Sequence, residues 1–267
     1  MTSSRRALDA QTQNTLALHF ASLHKPGSPI LLANVYDGAT AKAIISHSGA
    51  KAVATASYAI GEAQGITDDD LTLEQNLQSI RIVASVVVPS GKPLTVDLQD
   101  GYDDVAKTIK EAIFLGAVGC NIEDVDREAS PRPRLRDAKE AIKRLQQAKQ
   151  AAEEVGVPDF VVNARTDALL FGASIEDAID RGQAYLDAGA TTAFIWGGPK
   201  RGVSTQEVKQ LVSGLGGMVN VKMNLRPGFL DVSALRELGV ARISVGPELF
   251  HRAMKGYREG ADLVLGS

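Results

Sequence analysis

The chain is short of the residues that build disulfides and soft-metal sites. Only one of its 267 residues is a cysteine, Cys120. No intramolecular disulfide can form, and a cysteine-built metal site is excluded. Histidine is scarce as well: His19, His24, His47 and His251. None of them falls where a strand would end, which argues against a histidine general base and a histidine-based zinc site. Neither sign of charge dominates, with 29 Lys and Arg against 32 Asp and Glu and a net charge of -3. Such a balance offers no basic footprint for nucleic acid or an anionic membrane. There is no apolar run long enough to span a bilayer, and Met1 to Ala10 lacks the apolar core of a signal peptide. The cytosol is therefore the expected compartment. Also missing is a glycine-rich dinucleotide fingerprint after the first strand, which ends Asn34-Val35-Tyr36-Asp37-Gly38.

What is present is an alternation. A helix over Ala7–Leu23 precedes eight short apolar runs of β type: Ile30–Tyr36, Ala52–Ser57, Pro93–Leu98, Ala117–Glu123, Phe160–Ala164, Thr191–Trp196, Met218–Met223 and Ala241–Val245. Between and after them come helical stretches at Ala39–Ser48, Leu71–Val87, Asp104–Leu115, Leu135–Val155, Ile175–Ala188, Thr205–Ser213, Val232–Leu238 and Glu248–Tyr257. Gly49-Ala50, Gly116-Ala117, Gly189-Ala190 and Gly239-Val240 introduce several of the strands, as a left-handed glycine cap followed by a small residue would. Strands apolar on both faces and joined by helices predict a parallel sheet. Eight such units predict one (β/α)₈ barrel domain over residues 1–267, with an open doubly wound sheet as the alternative. Ser130-Pro131-Arg132-Pro133-Arg134 is expected to be an exposed loop.

In a barrel of this kind the chemistry sits where strands end. Those positions hold Tyr36 and Asp37, Ser57, Asp97 and Gln99, Glu123 and Asp124, Arg165 and Asp167, Trp196, and Asn224 and Arg226. Asp37, Asp124 and Asp167 are equally at home as helix caps. Asp97 and Glu123 close buried-looking strands, and carboxylates aimed into a barrel mouth need a cation or a proton. Two on neighbouring strands suit a hard metal such as Mg²⁺, and the alternative is acids satisfied by Arg165, Lys222 or backbone donors. The Arg165 fork suits a substrate carboxylate or phosphonate, or an internal pair with Glu123 or Asp167. Ser57 offers a hydroxyl to an anion. Cys120 has the opposite strand parity to Glu123 and reads as core.

The series Asn34-Val35-Tyr36-Asp37, Thr55-Ala56-Ser57, Gly65-Ile66-Thr67-Asp68, Val96-Asp97-Leu98-Gln99-Asp100-Gly101-Tyr102, Gly119-Cys120-Asn121-Ile122-Glu123-Asp124, Asn163-Ala164-Arg165-Thr166-Asp167 and Arg226-Pro227-Gly228 resembles the isocitrate lyase/phosphoenolpyruvate mutase superfamily. The resemblance runs in order along nearly the whole chain. It implies a modified barrel, often a tetramer that exchanges a C-terminal helix, and Mg²⁺ or Mn²⁺ chelated by a 2-oxo or 2-hydroxy acid. It also implies C–C or P–C bond chemistry through an enolate. Carried over by position, Asp97 and Glu123 would hold the metal, with Gln99 beside them, and Arg165 would bind the substrate carboxylate. Ser57, Tyr58 and Ala59 would bind one anionic end. Tyr36 and Asp68 would line the pocket, with Asn224 at the seventh strand end.

Two departures narrow the expectation. The lyases of this superfamily carry a Lys-Lys-Cys-Gly-His loop after the fourth strand, where this chain has Val125-Asp126-Arg127-Glu128-Ala129-Ser130-Pro131-Arg132-Pro133-Arg134. The lysine-and-asparagine loop of the phosphonomutases is missing too. Gln99 stands where many relatives have an acid. Decarboxylation of a β-keto acid survives without a loop acid, because a metal can stabilise the enolate as CO₂ leaves. The expected activity is thus a Mg²⁺-dependent carbon–carbon lyase on a small 2-oxo or 2-hydroxy diacid, with oxaloacetate the leading substrate. The alternatives are a phosphonopyruvate-type hydrolase or phosphonomutase, a degenerate barrel that binds a ligand, and a Schiff-base aldolase using Lys222. The expected partners are a small 2-oxo acid and further copies of the chain, as a dimer or tetramer.

Overall fold

A computed structural model describes residues 6–127, 129 and 132–266. Helix α1 (Ala10–Ser22) leads into β1 (Ile30–Leu32) and β2 (Asn34–Val35), which Ala33 separates. There follow α2 (Gly38–Ile45), β3 (Val53–Thr55), α3 (Ser57–Gln64), α4 (Leu73–Val87), β4 (Leu94–Asp97), α5 (Val105–Phe114) and β5 (Gly119–Glu123). A short hairpin of β6 (Val125–Asp126) and β7 (Arg134–Leu135) precedes α6 (Ala138–Glu154) and β8 (Val161–Thr166). The chain continues through α7 (Ile175–Asp187), β9 (Thr192–Ile195), α8 (Gly198–Arg201), α9 (Thr205–Gly214), β10 (Val219–Lys222), α10 (Val232–Leu238), β11 (Arg242–Ser244) and α11 (Glu248–Leu265).

The strands form one parallel sheet in the order β1-β11-β10-β9-β8-β5-β4-β3-β2. Because β1 and β2 are consecutive in the chain, its two edges meet at Ala33 and the ring closes. Counted that way there are eight staves, the barrel that the eight apolar runs predict. Capping boxes fix the starts of four helices: Asp37 with Thr40, Thr72 with Gln75, Ser174 with Asp177 and Ser204 with Glu207. Asp37 is therefore a cap. Gly116 follows α5 at φ 100°, where a β-carbon would also strike Val88. Helix α1 lies beneath the barrel, its fully buried Phe20 so close to Gly119 that a β-carbon there would meet the ring at 3.0 Å.

Three elements differ from the sequence reading. Helix α3 occupies what reads as strand end and polar loop, because the Ser57 N–H turns to Asp97 instead of continuing the ladder. The segment after β5 pairs with itself as β6–β7 where a plain loop is expected, with Arg134 in β7; Ser130 and Pro131 lie outside the described residues. Helix α11 runs on to Leu265, beyond Tyr257. No helix among the described residues is long and apolar enough to cross a membrane.

Candidate active site

The C-terminal ends of the staves open into a cavity of about 640 Å³. Strand β4 delivers Asp97 to its wall. The carboxylate Oδ2 accepts from the Ser57 backbone N–H (3.0 Å) and hydroxyl (3.1 Å), and Oδ1 accepts from the Asn121 amide (3.1 Å). A carboxylate offers about four acceptor positions. Three are used, so one remains on Oδ1. Asn121 is itself braced by Asn163, which takes a bond from Thr192. Polar side chains from neighbouring staves thus lock the orientation of Asp97.

Glu123 and Arg165 face each other in register on β5 and β8. Arg165 donates through Nη1 to Glu123 (2.7 Å), and through Nε (2.6 Å) and Nη2 (2.7 Å) to Asp167. Its guanidinium lies 4.0 Å from the Trp196 ring centroid, a cation–π contact. Three of its five N–H groups are spent on acids, and two remain for a ligand. Arg127, just past β6, turns back and donates through Nε to Glu123 at 2.9 Å and through Nη2 to the same carboxylate. It also reaches Asp68 (3.4 Å) and Asp69. Burial pushes the Glu123 carboxyl up, and the Arg165 and Arg127 charges more than reverse that, leaving it below the usual carboxylate range. Asp167 is pushed up to about 6 by burial, against the pull of Arg165 and with the help of the Glu123 and Asp124 charges. Asp68 is raised by burial, with Arg127 opposing and Asp97 and Glu123 adding to the rise.

The residues singled out by sequence divide into two groups. Ser57, Tyr58, Asp68, Asp97 and Arg165 line the cavity. Glu123 stands behind its wall, covered by the two arginines. Gln99 takes φ 52°, which breaks the strand alternation, and its amide donates to the Asp68 carbonyl (2.5 Å) and carboxylate (3.0 Å). It lies outside the cavity, as do Tyr36, Ala59 and Asn224. Tyr36 packs edge-on against Phe250 of α11 in a small cluster with Ala56 and Ala59. Asn224 accepts from Lys222 Nζ at 2.7 Å. Lys222 also pairs with Glu248 at 2.5 Å, so its amine is engaged by two side chains instead of standing free in the cavity. Asp124 is no cap: it accepts from Tyr185, Arg181 and the Asp167 N–H. Cys120 is fully buried in the core, and burial pushes its thiol up.

The cavity also holds residues that strand ends do not reveal, namely Arg127, Arg242 and His251. His251 sits in the first turn of α11, its ring 5.5 Å from that of Tyr58. The discernible signal was its place within a few residues of the eighth strand end, at the barrel mouth. Burial, then Glu62 and Asp68, raise the Tyr58 phenol above its ordinary value.

The donors fit a hard cation only in a sparse form. Among the described residues no three Asp, Glu, His or Cys side chains converge as a metal cage. Glu123 is occupied by guanidinium groups, and Gln99 is turned away. Asp97 has a free acceptor position on the cavity side, which suits Mg²⁺ held by one carboxylate, several waters and a chelating ligand.

Comparison with known proteins agrees with this architecture. Residues 20–265 match the family described as phosphoenolpyruvate phosphomutase. An uncharacterised Mycobacterium tuberculosis protein is 31% identical over 86% of this chain and 82% of its own length. The 2-methylisocitrate lyase of Escherichia coli is 37% identical over 46% of this chain, and an oxaloacetate decarboxylase of Rhodopseudomonas palustris is 32% identical over the same share. These stretches span 42% and 43% of those two enzymes. A crystal structure of a phosphonomutase-like protein from Burkholderia cenocepacia superposes with a TM-score of 0.82 at 33% identity, covering 96% of this chain and all of that one. With a match this long and the same barrel, the chain belongs to the phosphoenolpyruvate phosphomutase family, within the isocitrate lyase/phosphoenolpyruvate mutase superfamily.

Proposed function

We propose that the protein is a divalent-metal-dependent carbon–carbon lyase that decarboxylates oxaloacetate or a close 2-oxo diacid. The observation that carries this reading is Asp97, a cavity-facing carboxylate fixed by Ser57 and Asn121 with one acceptor position free, beside an arginine with N–H groups to spare. Mg²⁺ or Mn²⁺ on Asp97 would supply the positive charge that draws electrons into the 2-oxo carbonyl as the bond to the departing carboxylate breaks. Arg165, stiffened by Asp167 and Trp196, binds and orients a substrate carboxylate. Phe194 and Trp196 give that end of the cavity an aromatic lining. Tyr58 keeps its proton at neutral pH and stands with His251 at the mouth, so either can return a proton to the enolate carbon. The related lyase and decarboxylase support carbon–carbon chemistry.

A second reading is cleavage or rearrangement of a P–C bond in a phosphonate such as phosphonopyruvate. Arg127, Arg165 and Lys222 on one cavity favour a dianionic phosphonate, and so does the phosphonomutase-like structure. The third reading, a ligand-binding barrel without turnover, draws on the capture of Glu123 and Asp167 in ion pairs. Purified protein with Mg²⁺ and oxaloacetate should form pyruvate faster than the metal alone; phosphate release from phosphonopyruvate instead would establish the second reading. Metal-dependent oxalate binding without any turnover would establish the third.

We also infer a homo-oligomer built through α11. Its distal half exposes Tyr257, Leu263, Val264 and Leu265, each at least 74% accessible, and an apolar face of that size calls for cover. The cytosol remains the compartment this reading assumes.

A further inference from the structure

At its floor the cavity contains a buried guanidinium with no ion-pair partner among the described residues. Arg242 opens β11 and points into the barrel, 3% exposed. Its Nε and Nη1 are buried and have no hydrogen-bond partner among the described residues. No carboxylate lies within ion-pair distance of it among those residues. The nearest aromatic ring, Phe20, is 6.0 Å away. His24, behind it, cannot be a counter-ion, because an imidazole carries no negative charge and burial, then Arg242, push this one down to about 3, so it is neutral. Burial lowers Arg242 to about 10, against the opposing pull of Cys120 and Asp97 from beyond ion-pair distance, and it stays protonated at neutral pH. An isolated buried cation is costly, and proteins answer it with an anion or remove it.

A second observation points the same way. Thr95, on β4, lines the same cavity, and its buried hydroxyl has no partner either. Four asparagines, Asn34, Asn121, Asn163 and Asn220, line this interior, where barrels ordinarily pack branched apolar side chains. Arg242 begins four residues before Gly246 at the mouth, a depth of about 13 Å at strand rise. A polar shaft therefore leads from the mouth to an unpaired guanidinium.

We propose that Arg242 forms the floor of an anion subsite, which takes a small anion with compact acceptor atoms: an inorganic monoanion, or the distal carboxylate of a bound diacid. The inference stands without the lyase reading, since it needs only an anion small enough to pass down the shaft. Thr95 is the neighbouring donor placed to share it.

Bromide is the probe. Crystals soaked in sodium bromide should show an anomalous peak at the Arg242 guanidinium. The thermal midpoint of the wild-type protein should rise by about 2–4 °C with bromide at constant ionic strength. Arg242→Met removes the charge and keeps the volume. It should fold, lose the bromide peak, and melt at a temperature independent of bromide. Arg242→Lys should keep part of the response. Displacement of bromide by malonate but not by acetate assigns the subsite to a diacid's distal carboxylate; displacement by neither assigns it to a free inorganic anion. No bromide at Arg242, with wild type and Arg242→Met responding alike, overturns the proposal and leaves a guanidinium satisfied by water.

Discussion

Arg127 and Glu123 lie four residues apart on either side of the turn out of β5, yet the arginine folds back and seals the glutamate from the cavity. The guanidinium takes the place between Glu123 and Asp68 that a shared cation would otherwise hold. Removing Arg127 leaves Glu123 to Arg165 alone and takes from Asp68 its one ion-pair partner among the described residues. Arg127→Ala should therefore destabilise the protein by roughly 1–3 kcal/mol in urea unfolding. It should also raise the Asp68 pKa further, since Arg127 is the charge that opposes its rise. An unchanged unfolding midpoint would mean that the pair is loose in solution.

Asp97 carries the metal reading, so its substitution is the sharpest test of the site. Asp97→Asn keeps the shape and the contacts to Ser57 but removes the charge. Calorimetry should show Mn²⁺-dependent oxalate binding in the wild type and none in the variant. Turnover should fall by about 10²–10³, the usual scale for losing one preorganised electrostatic group. Retained metal-dependent binding in Asp97→Asn would move the metal elsewhere.

The barrel was legible because its signal is repetitive: eight apolar runs and recurrent Gly-Ala starts survive errors at any one boundary. Asp97 was legible because strand parity and a strand end both point it at the mouth. Gln99 was misplaced by the same reasoning, since alternation holds only while the strand lasts and β4 ends at Asp97. Arg127 could not be seen at all: its role depends on a loop folding back, and no periodicity encodes that. Glu123 was rightly placed at its strand end, but its cover by Arg127 follows from the unseen loop. Arg242 is illegible from strand ends because it begins its strand, although a lone arginine in Ala241-Arg242-Ile243-Ser244-Val245 is a local anomaly.

Asp167 makes the stability of the fold depend on pH in a particular direction. Its folded value is about 6, whereas an unfolded aspartate titrates near 3.9. Between those values the folded state holds a proton that the unfolded state lacks, so stability at this residue grows as pH falls from about 6 to 4 and is lost as pH rises through 6. Glu123, held low by its arginines, works oppositely and loses its contribution as pH falls through its folded value. Asp167→Asn deletes the first effect and leaves the second. Denaturant unfolding at pH 4.5, 5.5 and 7 should show the variant losing more stability toward acid than the wild type. Parallel curves would refute the raised Asp167.

The assembly reading rests on how the apolar side chains of α11 are spaced. Tyr257, Ala261, Val264 and Leu265 recur at i, i+4, i+7 and i+8, which puts them on one helix face. Met254, one turn earlier, packs with Phe250 and Ala59 against the barrel mouth, so the anchored end of the helix reports on the cavity and the free end on a neighbour. Val264→Asp with Leu265→Lys should leave the anchored turn, with His251, in place while destroying the exposed stripe. Light scattering after size exclusion should find a multimer for the wild type and a monomer of 28.3 kDa for the double variant. Oxalate binding measured on that monomer then tells whether the site needs a neighbouring copy. Retained affinity places every binding group on one chain, whereas its loss means that the exchanged helix holds the mouth in shape. A wild type that elutes as a monomer at tens of micromolar would end the assembly reading outright.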